Sequence, residues 1–119
     1  MTISEAISQV DELRPNTYSA GQKIRWLRRC ESMIVRTVLC RQEQQPEVFG
    51  DNADMDTVLM VPEPWDELYV HWLEAQMHYA NGEYDRYNNA IGMFTDFLTG
   101  YRGEIARTGE PDKGSRFLF

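Results

Sequence analysis

The 119-residue sequence has no Lys or Arg between Gln42 and Asp85, only two cysteines, and no long apolar run. Each shortage removes a class of protein. Runs such as Val58 to Pro62 fall far short of the roughly 20 residues needed to cross a bilayer. The N-terminus MTISEAISQVDE has neither the basic nor the apolar region of a signal peptide. No membrane contact is expected, and the chain is expected in a cytoplasm at synthesis. Cys30 and Cys40 fall in one predicted helix, which separates them by about 15 Å. A disulfide needs alpha carbons within about 7 Å. Free thiols are therefore expected unless they pair with other chains, in agreement with a reducing compartment. Gly-rich phosphate loops, nucleophile elbows and cysteine clusters are also missing, which argues against an enzyme and against a bound cofactor.

What is present suits one domain with a core of its own: 42% hydrophobic and 12% aromatic residues in 119. The formal net charge of -7 argues against a protein whose main task is gripping phosphates. Its distribution says more. Glu43, Glu47, Asp51, Asp54, Asp56, Glu63, Asp66, Glu67, Glu74, Glu83 and Asp85 accumulate where cations are missing, whereas half of the 12 basic residues lie between Lys23 and Arg41. The molecule should have a basic end and an acidic end.

The periodicity predicts an all-α fold, a small bundle of about four helices. Thr2 with Glu5 forms a capping box, and Ile3, Ala6, Ile7, Val10 and Leu13 follow at helical spacing until Pro15 ends a short first helix. Ser19 with Gln22 repeats the start signal for a long second helix to about Arg41, with Ile24, Leu27, Ile34, Val35 and Val38 on one face. From Gln42 to Glu63 the pattern fails, and only TVLMV (Thr57 to Val61) is strand-like. Pro64 starts a third helix that runs to about Asn81, where Gly82 supplies a left-handed cap. Trp65, Leu68, Trp72, Ala75 and Tyr79 form its core stripe, and Val70, Leu73 and Met77 lie on the opposite side. That second apolar face needs a cover from the domain or from another subunit. In the fourth helix Tyr84, Tyr87, Ile91, Phe94, Leu98, Tyr101 and Ile105 repeat at three and four residues, and Gly100 implies close packing or a late break. Between the two, Tyr79, Asn81, Gly82, Tyr84 and Tyr87 read as the corner of a helical hairpin rather than as a ligand site. Residues 1–108 are expected to form the helical domain, with the 42–63 loop inserted, and 109–119 a C-terminal arm.

Few residues suggest chemistry. Glu67, His71, Glu74 and His78 share one stripe that has helical spacing for a metal but matches no zincin order, and a solvated polar face is the expected reading. DNADMD lacks the register of a calcium loop. Cys30 with His71 or His78 would make a thiol and base pair, against the commoner buried structural cysteine. KIRWLRRC opens a basic helix whose arginines, spread around it, suit backbone contact with a nucleic acid or an acidic protein partner.

The run DELYVHWLEAQMHYANGEYDRYNNAIGMFTDF (Asp66 to Phe97), preceded by a loop and VLMVPEP, resembles the head-tail connector (adaptor or head-completion) proteins of long-tailed bacteriophages and prophages. The likeness is clearest across residues 57–101, and the order of short helix, long helix, loop and helical hairpin extends it to nearly the whole chain. The resemblance implies a virion structural protein at the neck, a homo-oligomeric ring of the dodecameric type beneath the portal. The ring would extend the DNA channel, pass DNA without specific binding, and dock the next neck or tail component. A head-to-tail ring needs two complementary surfaces. Arg25, Arg28 and Arg29 are expected to meet Glu47, Asp51, Asp54 and Asp56 of a neighbour, with Val70, Leu73 and Met77 as an apolar seam. A polar terminal segment is ordered only when tied down, so Arg116, Phe117, Leu118 and Phe119 are expected to anchor in the portal, as an added strand or an apolar plug. The alternatives are a small helical nucleic-acid-binding or DNA-packaging accessory protein using the second helix, and a metal-dependent enzyme built on His71 and His78.

Overall fold

In a computed structural model that describes residues 1–39 and 47–108, the chain is a bundle of four helices: α1 (Ile3–Leu13), α2 (Ala20–Thr37), α3 (Leu68–Ala80) and α4 (Tyr84–Thr108). The capping box at α1 is complete: the Glu5 amide donates to the Thr2 hydroxyl (3.1 Å) and the Thr2 amide donates to the Glu5 carboxylate (2.8 Å). Ser19 caps α2 through the Gln22 amide (3.1 Å). α2 stops at Thr37 rather than at Arg41, which lies outside the described residues. The β-branched run of Ile34, Val35, Thr37 and Val38 weakens its last turn, and the Thr37 hydroxyl donates back to the Met33 carbonyl (2.8 Å).

The third helix begins with a 3₁₀ turn (Trp65–Glu67) and becomes the hub, with α1, α2 and α4 all resting on α3. This corrects the expectation of an outward apolar seam. Leu73 is 0% exposed, Met77 2% and Val70 7%, because the domain itself covers the second face. A helix that is apolar on two faces is covered on both by its neighbours. Conversely Tyr79, expected in the core, is 58% exposed and meets Tyr84 and Tyr87 in tilted ring contacts at 5.6 and 5.3 Å between centroids. Gly82 turns the corner with φ 76°, as Asn81-Gly82 predicts.

TVLMV forms no strand among the described residues, only an isolated antiparallel bridge between Thr2 and Val58. Its partner, residues 1–4, leads straight into α1, so no second extended strand is available. The segment is nevertheless fixed. The Thr57 and Met55 carbonyls accept the Ile3 and Ser4 amides (3.0 and 2.9 Å), two of the donors that a helix start leaves orphaned. Farther along, Glu31 of α2 accepts the Tyr69 hydroxyl (2.5 Å) and the Met60 amide (2.8 Å), and the Tyr69 oxygen accepts the Val61 amide (2.9 Å). Burial pushes the Glu31 carboxyl up, opposed by those two donors.

Of the two alternatives at Gly100, close packing holds: a Cβ there would run into the Trp65 ring, while α4 continues unbroken to Thr108. Trp65 also donates its ring N–H to Glu104 (3.0 Å). Gly92 and Gly103 face open space. Gly92→Ala and Gly103→Ala should each stabilise by about 0.5–1 kcal/mol through helix propensity. Gly100→Ala should destabilise by about 1–3 kcal/mol through overpacking. Urea midpoints of the three variants check this, and a stabilised Gly100→Ala variant would contradict the close approach.

Candidate functional site

The polar stripe of α3 is not a solvated face. α1 and α4 rest on α3 and not on each other, leaving a cleft of about 370 Å³ whose floor is His71, Glu74 and His78 and whose walls include Arg14, Arg86 and Met93. Glu74 is 8% exposed and His78 4%, whereas Glu67 stays outside on the surface. Glu74 accepts the Arg14 Nε–H (2.9 Å), and its two oxygens lie 3.6 Å from His71 Nδ1 and 3.7 Å from His78 Nε2. His78 Nδ1 is 2.8 Å from Glu83, which is 4.0 Å from Arg86. This chain of polar contacts ties the end of α1, the floor helix, the hairpin corner and the start of α4 together. The stripe is buried because Arg14, sixty positions away along the chain, supplies the counter-charge that Glu74 needs inside.

Chemically the cleft is largely self-satisfied. Arg14 occupies the carboxylate that a metal would need, and the described residues contain no group of three or more His, Cys, Asp or Glu placed to hold a metal ion. His71 stacks on Phe97 (5.6 Å, 18° between planes), and its buried Nδ1 has no hydrogen-bond partner, since 3.6 Å to Glu74 is ion-pair distance and too long for a hydrogen bond. The corner of Tyr79, Asn81, Gly82, Tyr84 and Tyr87 lies beside it and joins α3 to α4. Its polar contact from the outside is the Tyr18 hydroxyl, which donates to Asn81 (2.5 Å).

The other candidates separate by burial. Cys30 is fully buried, and burial, then the charge of Glu31, pushes its thiol up, the reverse of an activated nucleophile. Cys40 lies outside the described residues. In DNADMD the carboxylates diverge: Asp51 takes the Arg28 Nε–H (2.6 Å) and Asp54 accepts the Asp56 amide (3.1 Å). The Arg28–Asp51 pair is thus made inside one chain, not between neighbours as expected. Lys23 is likewise turned inward and paired with Asp11 (2.8 Å). Arg25, Arg29 and Arg36 stay exposed on α2, and Glu47, Asp54 and Asp56 stay exposed on the acidic segment. Arg116, Phe117, Leu118 and Phe119 lie outside the described residues.

Compared with known proteins, the chain matches no family model, no curated protein and no solved structure.

Glu83 carries a pH signature. The His78 hydrogen bond first, then Arg86, holds its carboxyl below the ordinary range. The unfolded chain lacks those partners, so the stabilisation is present above the ordinary carboxylate value and drains away as pH falls through the lower folded value. The stability difference between wild type and Glu83→Gln should therefore shrink on acidification below about pH 4. Thermal unfolding across pH 3 to 7 checks it, and a pH-independent difference would contradict the pairing.

Proposed function

We propose that this chain is a structural assembly subunit, a head-tail connector of a long-tailed bacteriophage or prophage. In this reading it forms a ring beneath the portal, extends the DNA channel and docks the next neck or tail component. The observation that carries the proposal is the place of residues 57–101, the stretch with the clearest likeness to that family. They make the hub: the anchored segment, the 3₁₀ turn, α3, the corner and the first two thirds of α4. A central hairpin with its polar groups tied into internal pairs is a rigid block, and a rigid block loses little freedom on assembly.

The burial of Val70, Leu73 and Met77 narrows how such a ring is built. Its contacts draw on charged and arm residues rather than on an apolar seam. Exposed Glu47, Asp54 and Asp56 provide a surface that holds no phosphate, which suits a channel through which DNA slides. The alternative, a nucleic-acid-binding or packaging accessory protein, draws on the exposed arginines of α2 and predicts salt-dependent DNA binding by the isolated chain.

Electron microscopy of the purified protein with and without portal tests the proposal, and rings on the portal are expected. Deleting residues 114–119 should leave the helical content and melting temperature unchanged and abolish portal attachment. A monomer under all conditions with no affinity for portal would overturn the reading, and normal attachment by the truncated chain would remove the arm from it.

A further inference from the structure

We infer that the outer ridge of α2, made by Arg25, Arg29 and Arg36, is the docking surface for the acidic 47–56 segment of a second copy of this chain. The inference deepens the assembly reading and rests on it. At helical spacing the three residues fall within about 40° of one another and span roughly 16 Å along the axis. All three are exposed. Arg25 donates only to Gln22 on the same helix (2.9 Å), and Arg29 and Arg36 have no ion pair among the described residues. The same helix satisfies its other described cations: Lys23 on Asp11 and Arg28 on Asp51. Burial has sorted the cations by face, and the ridge is what the fold leaves over.

The complement is equally specific. Glu47, Asp54 and Asp56 are exposed with no cation partner among the described residues. Their segment is held in place by Arg28 on Asp51 and by the amides of Ile3 and Ser4 on the carbonyls of Thr57 and Met55. Asp54 and Asp56, which lie between these anchors, lose little freedom on docking. Arginine also suits the other side of such a contact, because its planar fork matches a carboxylate with two donors.

A second copy fits better than a nucleic acid. Three cations would neutralise only about three phosphates. A copy that receives on its ridge still has its own acidic segment free to give, which is the rule of a head-to-tail contact.

Full-length chains carrying R25E, R29E and R36E together, or E47K, D54K and D56K together, test this beside wild type. Light scattering at low and high salt, and electron microscopy on portal, read assembly, while circular dichroism confirms folding. Wild type is expected to form salt-sensitive oligomers, alone or on portal. Each triple variant should weaken self-association by about tenfold or more, and an equal mixture of the two should restore it, because the reversed charges again complement. Either variant assembling like wild type, or a folded mixture that stays monomeric, overturns the inference. So does loss by the arginine variant of salt-dependent duplex DNA binding with no change in mass. Wild-type rings on portal that survive both substitutions would leave the connector reading standing and sink this contact. Charge-swap rescue without portal attachment would do the reverse.

Discussion

Three parts of the chain meet at one buried carboxylate. Glu31, 1% exposed on α2, receives the Tyr69 hydroxyl of α3 and the Met60 amide, and Tyr69 in turn receives the Val61 amide. The Glu31, Tyr69 and Val61 groups are buried away from water, and the Met60 amide is half-buried. Removing one member leaves orphans that cost about 1–3 kcal/mol each, so the four stand or fall together. Through this knot the segment before α3 becomes part of the bundle, and Leu59 (3% exposed) and Val61 (0%) reach the core.

The rest of the architecture follows from having α3 at the centre. A central helix must be apolar on most sides, and whatever polar groups it carries must find partners on the helices around it. Glu74 and His78 do so through Arg14 and Glu83, from α1 and from the hairpin corner. The cleft they floor is therefore the mark of two helices resting on a third, and its charges are spent on holding them there.

Local features were the ones legible in the sequence. Thr2 with Glu5, Ser19 and the Asn81-Gly82 corner depend on residues close in the chain and stand where their patterns placed them, as does the α4 stripe from Tyr87 onward, while Tyr84, its first member, is 59% exposed. The bland reading of Cys30 was legible too. Direction was not. The apolar faces of α3 told of two covers without telling that the domain itself supplies the second. The spacing of His71, Glu74 and His78 gave a stripe but not its burial, because Arg14 comes from a distant part of the chain. The arginines of α2 looked spread around the helix because sequence cannot show that Lys23 and Arg28 are claimed by Asp11 and Asp51. With those two removed, Arg25, Arg29 and Arg36 form a ridge.

The proposed contact needs the segment that follows the acidic residues to be fixed to the bundle, and the knot at Glu31 and Tyr69 fixes it. Native-state hydrogen exchange of the Met60 and Val61 amides measures that directly. The account predicts that both exchange as slowly as the amides in the middle of α3, opening only with global unfolding. Exchange at the rate of exposed loop amides would mean that the segment is not fixed to the bundle, and would contradict it.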